Sequence, residues 1–133
     1  MTSEPILVDT SCWIEYFNRP GTPSATAVED AIREDRAALT GVVLAEISQG
    51  AKNKEELHHL RASLGAVRYV DTSLELYERA GDIAFELRRR GVTVPITDCM
   101  FAAAAESVGG NILTLDGHFM QISEVSELEI LPD

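Results

Sequence analysis

The chain has 133 residues, 45% of them hydrophobic and 25% charged, and its 22 acidic and 11 basic side chains give a net charge of −11 at pH 7. That length suits one domain with a core that needs no disulfide staple, and no apolar run approaches the roughly 20 residues of a membrane span. The acidity excludes broad, sequence-independent binding to nucleic acid, which needs a basic face, but it leaves room for a nuclease whose acids hold divalent cations that bridge to phosphate.

Met1-Thr2-Ser3-Glu4-Pro5 lacks the basic start of a signal peptide, and the apolar stretch after it is too short for one, so a cytoplasmic protein is expected. Ile6-Leu7-Val8 reads as a buried strand, and such a strand near the start of an α/β chain is usually central in a parallel sheet. It stops at Asp9. In open α/β sheets ligands sit beyond the carboxyl ends of the strands, where strand order reverses, so Asp9 is a candidate site residue. Trp13, Ile14 and Phe17 recur at helical spacing until Asn18-Arg19-Pro20-Gly21 ends the helix, and Trp13 reads as core. Cys12 and Cys99, a lone pair far apart in sequence, read as small buried residues and not as a disulfide framework.

Residues 22 to 34 form a second helix, with Pro23 in its first turn and Ala27, Val28, Ala31 and Ile32 along one side. Ala37 to Thr40 is a second strand, and Gly41 to Gly50 a helix in which Glu46 stands alone among Leu44, Ala45 and Ile47. That pattern fits a solvent face as well as a site. Lys52 to Leu64 is an outer helix whose adjacent His58 and His59 point in different directions, a poor metal pair and a good description of surface histidines. Val67 to Val70 is a third strand, followed by Asp71-Thr72-Ser73, so that Val-Asp-Thr-Ser occurs at 8 to 11 and again at 70 to 73. Thr72 and Glu75 at the second copy have capping-box spacing for the helix carrying Leu76, Ala80, Ile83, Ala84 and Leu87. The first copy has no such box, which leaves Asp9 in need of a chemical explanation.

Arg88-Arg89-Arg90-Gly91 closes that helix with cations and a glycine stop, as the helix dipole favours; it is also the one dense basic cluster in the chain and so a candidate phosphate contact. Thr97-Asp98 begins a helix holding Phe101 and Ala102 to Ala105, with Asp98 at an N-cap-like position, and Gly109-Gly110 ends it. Asn111 to Leu115 is a fourth strand broken by Asp116-Gly117-His118-Phe119, and Leu128 to Leu131 is a short final strand. Strands alternating with helices predict a parallel sheet with right-handed crossovers and helices on both faces.

Asp9 and Asp116 end strands, while Glu46 and Asp98 lie in early turns of helices that start where strands end. All four therefore fall at one edge of the sheet. Clustered carboxylates without basic partners repel and push at least one pKa upward. A divalent metal resolves the conflict: hard oxygen ligands suit Mg²⁺ or Mn²⁺, and the matching chemistry is activation of water for attack at phosphorus. No Walker A loop, G-x-G-x-x-G, G-x-S-x-G, CxxC or HExxH motif offers another site. His118 reads either as a solvated loop residue or as a ligand or proton shuttle of this site.

Four segments, Val8-Asp9-Thr10-Ser11-Cys12-Trp13-Ile14, Val43 to Gly50 around Glu46, Asp98 with Phe101-Ala102-Ala103, and Leu113-Thr114-Leu115-Asp116 to Phe119, resemble in order the signature segments of the PIN domain, specifically the VapC-type toxin ribonucleases. The resemblance covers nearly the whole chain. It implies a single PIN domain over residues 1 to 133, an α/β/α sandwich around a central parallel five-stranded sheet, and a Mg²⁺- or Mn²⁺-dependent endoribonuclease. It further implies a homodimer, an RNA substrate and a cognate antitoxin that occludes the site. It assigns catalysis and metal binding to Asp9, Glu46, Asp98 and Asp116, with Thr114 and Thr10 or Ser11 as polar supports. One departure stands out: where many members carry a further acid two residues after the last, this chain has His118. The rival reading is a catalytically silent PIN-like module that binds RNA or a partner, against which the intact quartet argues.

Overall fold

The computed structural model describes residues 4–132, so the reading of Met1, Thr2 and Ser3 as no signal sequence lies outside the described residues. Five strands, β1 (Ile6–Val8), β2 (Ala37–Thr40), β3 (Arg68–Val70), β4 (Asn111–Leu113) and β5 (Glu129–Ile130), form one sheet in the order β3-β2-β1-β4-β5. Every pairing is parallel: Leu7 sits opposite Ala38 on one side and Ile112 on the other, while Leu39 pairs with Tyr69 and Ile112 with Ile130. The expected five-stranded parallel sheet is therefore present. β1 is its centre, which is why all three of its residues are buried and why the run is aliphatic without alternation.

Seven helices connect the strands among the described residues: α1 (Thr10–Asn18), α2 (Pro23–Arg33), α3 (Gly41–Gln49), α4 (Lys54–Leu64), α5 (Leu74–Arg89), α6 (Ile96–Glu106) and α7 (His118–Ile122). Because β2 and β3 extend the sheet on one side of β1, and β4 and β5 on the other, right-handed crossovers send α1 to α4 and α5 to α7 to opposite faces. Most contacts between helices follow that division, α1 packing on α2 and α3, and α5 on α6 and α7, while α3 also meets α6. On the first face Trp13 is buried and stacks on Phe17, with ring centroids 6.0 Å apart, so its reading as core holds. On the second face the buried Ala102 to Ala105 of α6 let helix and sheet approach closely, and Phe101 meets Phe119 edge-on at 5.4 Å. No helix among the described residues is long and apolar enough to cross a membrane.

Local chemistry sets the helix boundaries, and there it departs from several expectations. The capping box expected at Thr72 and Glu75 does not form. Ser73 takes the N-cap position in extended geometry, its Oγ accepting from the Leu76 amide at 3.4 Å, while the Thr72 hydroxyl pairs with Tyr77 Oη at 3.3 Å. With Ser73 as the cap, the third helical residue is Leu76, which has no carboxylate to return the bond. A near-reciprocal pair occurs instead at α4, which starts at Lys54 because Asn53 Oδ1 accepts from Glu56 N at 2.8 Å and Glu56 Oε1 accepts from Lys52 N at 3.1 Å. Asp98 is not an N-cap: α6 begins at Ile96, behind Pro95, which frees the Asp98 side chain. β4 stops at Leu113, two residues earlier than expected, and the break at Asp116 to Phe119 proves to be the start of the short helix α7, whose Phe119 and Ile122 are buried. The turn from α6 into β4 needs Gly110, which has φ +85° and sits where an added Cβ would strike the Glu127 carbonyl.

One ion pair bolts the second face together away from the strand ends that carry the acids. Arg79 on α5 grips Glu106 on α6 through Nε at 2.7 Å and Nη2 at 2.9 Å, and Glu106 Oε2 also accepts from Glu127 N at 2.7 Å. The bonds from Arg79 hold the Glu106 carboxyl below its ordinary range against the opposing effect of burial. At the end of α5, Arg89 lies 5.8 Å from the Phe85 ring centroid and Arg90 pairs with Glu124 at 3.9 Å, while Gly91 at φ +80° supplies the stop. This is the cap-like arrangement expected of the basic cluster.

Candidate active site

The edge of the sheet where β1 and β4 end is where strand order reverses. Asp9 follows β1 directly, occupies the N-cap position of α1 without capping it, and is 7% exposed. A buried carboxylate must be satisfied, and here two hydroxyls address the same oxygen: Ser11 Oγ donates to Asp9 Oδ2 at 3.0 Å and Thr114 Oγ1 donates to it at 2.9 Å. That leaves Oδ1 free of both hydroxyls. The two strand ends are sewn together, since Ser11 Oγ accepts from Leu115 N at 3.0 Å and Thr114 Oγ1 accepts from Asp116 N at 2.9 Å. β4 stops after Leu113 because the next residues spend their polar groups on this crosslink.

Asp116 lies beyond it, and its Oδ1 accepts from His118 N at 2.9 Å, closing the turn that starts α7. Asp98, in the first turn of α6, comes to the same place from the opposite side in sequence: its Oδ2 is 3.0 Å from His118 Nδ1, which is also 3.2 Å from Asp116 Oδ1. Burial holds the Asp98 carboxyl above its ordinary range; the hydrogen bond from His118 opposes this, while the charges of Asp116 and Asp9 add to it. The expected upward push is therefore found at Asp98, but burial is its first cause and the neighbouring acids only add to it. The neighbouring Cys99 thiol is also pushed up, by burial first and by the Asp98 charge second, which makes it an inert core residue and no nucleophile.

The structure thus gathers Asp9, Asp98 and Asp116. Glu46 stands apart: it is exposed on α3 and joins the others through Thr10, whose Oγ1 donates to Glu46 Oε1 at 2.8 Å. Among the described residues, the group whose donor atoms lie within 4.8 Å of one another is Asp98, Asp116 and His118, with neither Asp9 nor Glu46 in it; Asp9 lies beside it, joined through Thr114. Thr10, Ser11 and Thr114 each bond to one of the acids. His118 is no solvated loop residue; its side chain is 44% exposed but faces two carboxylates. Sequence reasoning missed the double role of Ser11 and the contact between Asp98 and His118. Twenty positions separate that pair in the chain, and no local pattern encodes such a contact. A groove of about 240 Å³ opens beside Glu46, lined among others by Ile14, Phe17, Ile47 and His59.

The donor set decides what the site can hold. Carboxylate oxygens that crowd one another and, among the described residues, lack an Arg or Lys partner, with one imidazole between them, fit a hard divalent cation and not a soft thiolate-loving one.

The PIN domain family model matches residues 6–125. Ribonuclease VapC11 of Mycobacterium tuberculosis and a VapC ribonuclease of Mycobacterium bovis are each 34% identical to this chain over 130 residues, covering 93% of it and 96% of their own length. Among solved structures, the complex of VapBC2 from Rickettsia felis bound to a DNA fragment from its promoter contains a chain that superposes with a TM-score of 0.79 at 21% identity, covering 95% of this chain and 96% of that one. Mycobacterium tuberculosis VapC20, a sarcin-ricin loop cleaving toxin, superposes with a TM-score of 0.65 at 17% identity, covering 96% of this chain and 99% of its own. With a family model spanning most of the chain, near-full-length relatives and the sheet order and acid cluster described above, the chain belongs to the PIN domain family and, within it, to the VapC ribonucleases.

Proposed function

We propose that this protein is the toxin of a toxin–antitoxin pair and hydrolyses phosphodiester bonds of RNA with Mg²⁺ or Mn²⁺ held by Asp9, Asp98 and Asp116, with Glu46 at the rim. The observation that carries the proposal is the convergence of three carboxylates from the end of β1, α6 and the end of β4 on one edge of the sheet, with no Arg or Lys among the described residues paired to them. A divalent cation, when bound, supplies the Lewis acidity that offsets charge on the phosphate and makes water nucleophilic at neutral pH.

The chain's own residues do the rest. Ser11 and Thr114 fix the Asp9 carboxylate by occupying Oδ2, so Oδ1 is the oxygen left for a cation. The turn closed by His118 N on Asp116 sets the position of that carboxylate, and Thr10 restrains Glu46, which would otherwise sample several rotamers on an exposed helix face. Without the cation, four acids repel a polyanion, so RNA binding and metal binding are one event for this protein.

Two assembly features belong to the same proposal. A cognate antitoxin partners the protein, in keeping with the VapBC complexes among the solved relatives, and it covers the acid edge. The protein acts in the cytoplasm as a homodimer, for which the exposed Leu74, Tyr77 and Phe85 on one side of α5 offer an apolar surface. The test is cleavage of total RNA with end mapping, in Mg²⁺, in Mn²⁺ and in EDTA. Cleavage that needs the metal and stops with Asp98→Asn supports the proposal, and equal rates in EDTA and Mg²⁺ refute it.

A further inference from the structure

We propose that His118 is itself a metal ligand, and that the nitrogen it adds to the carboxylates turns the site toward Mn²⁺ and away from Mg²⁺. This rests on the reading that the carboxylates hold a divalent cation and adds to it which ion they prefer.

The argument begins with an imbalance. Nδ1 of His118 faces Asp98 Oδ2 at 3.0 Å and Asp116 Oδ1 at 3.2 Å, yet a ring nitrogen carries one proton or one lone pair and can serve only one of them. Two carboxylates that converge on a single imidazole nitrogen, with no Arg or Lys among the described residues paired to either, leave one charge unanswered. A cation in the space between the three donors answers all of them at once. The spacing suits it: an octahedral ion with bonds of about 2.1 Å has neighbouring donor atoms roughly 3 Å apart, which is the separation from Nδ1 to each carboxylate oxygen, and all three donors lie within 4.8 Å of one another. The ring is also held in place from behind, since its own backbone amide donates to Asp116 Oδ1 at 2.9 Å and the next residue, Phe119, is buried against Phe101.

Ion preference follows from the donor. Mg²⁺ demands oxygen and gives up its waters reluctantly, whereas imidazole belongs with the first-row transition ions, and among these Mn²⁺ readily accepts a carboxylate-rich site. An acid at position 118 would make an all-oxygen set. A histidine there makes a mixed one.

The experiment uses the whole protein and two ions, MnCl₂ and MgCl₂. Pulsed electron paramagnetic resonance of the Mn²⁺-loaded protein is expected to show ¹⁴N modulation from a coordinated imidazole, and His118→Asn is expected to abolish it. Asn keeps an N–H in place of Nδ1 and so preserves the hydrogen bond, and because His58 and His59 remain, loss of the signal assigns it to His118. Calorimetric titration should find the preference for Mn²⁺ over Mg²⁺ reduced about tenfold or more in His118→Asn, and His118→Asp should bind Mg²⁺ better than wild type does. Bound Mn²⁺ without nitrogen modulation in the wild type overturns the inference. So does a tightening of both ions in His118→Asn, the result expected if a protonated His118 merely neutralises the two acids. If Asp98→Asn loses Mn²⁺ while the wild type shows no nitrogen signal, the carboxylate site stands and only the role of His118 falls. Undiminished Mn²⁺ binding by both Asp9→Asn and Asp98→Asn removes the metal site, and this inference with it.

Discussion

Val-Asp-Thr-Ser leaves the sheet twice, from β1 at residues 8 to 11 and from β3 at residues 70 to 73, and in both places a helix follows. The outcomes differ. In the first copy the helix starts directly after the acid, so Asp9 stands at the junction, buried and bonded by Ser11 and Thr114. In the second it starts after the serine, so Ser73 stands at the junction as a cap and Asp71 is exposed. The cause lies outside the tetrapeptide. β1 has β4 beside it to deliver Thr114 and Asp116, whereas β3 is the sheet edge and has a neighbour on one side only. A short motif becomes a site where the neighbouring strand completes it, and a helix cap where none does.

The largest expected effect separates the two acids. Asp9→Asn should lower single-turnover RNA cleavage by about a thousandfold, the scale of losing several kcal/mol of metal-assisted stabilisation, while Asp71→Asn should stay within about twofold of wild type, since its side chain is exposed and a surface change away from any packing or bonding feature acts weakly. An equal loss in both variants would break the comparison. Next in size is the support that only the first copy has. Thr114→Ala removes one of the two hydroxyls on Asp9 Oδ2 and also the acceptor for Asp116 N, and should weaken Mn²⁺ binding by about 10- to 100-fold, measured by calorimetry.

These differences also mark how far the sequence could be read. The aliphatic run of β1, the alternation of strands and helices and the four acids were all visible, because periodicity and strand ends are local signals. The stop of β4 and the start of α7 were not. Thr114 leaves the strand to reach Asp9, 105 positions away in sequence, and His118 turns toward Asp98, 20 positions away. The Thr72 to Glu75 spacing suggested a cap one residue too early, because Ser73 competes for the same position and lies closer to the Leu76 amide in register. Glu46, grouped with the other acids from its position in the chain, proves to be tethered at the rim through Thr10 and not packed among them.

The remaining effects concern stability and sharpen the comparison from the other side. Ser73→Ala should cost about 1 kcal/mol or less, at the low end for an N-cap because its bond is long at 3.4 Å, and should leave cleavage unchanged; denaturant melts with a parallel cleavage assay check both halves. The smallest shift is expected from Asp98→Asn without metal, a rise in melting temperature of a few degrees at neutral pH. The sign follows from the raised Asp98 pKa. The unfolded chain gives up this proton at lower pH than the folded one does, so the folded state loses stability as pH climbs through that interval. The variant lacks the penalty, so its advantage should vanish in acid, below the ordinary carboxylate range. A metal-free Asp98→Asn protein melting below wild type at neutral pH would show Asp98 to be chiefly a partner for His118.

The most direct test of the account is a calorimetric titration of Mn²⁺ into wild type, Asp9→Asn and Asp71→Asn under one set of conditions, with circular dichroism to show that all three are folded. The account predicts that wild type and Asp71→Asn bind with the same affinity and that Asp9→Asn loses the site. Binding by Asp9→Asn that matches wild type, or an equal loss in Asp71→Asn, would contradict it.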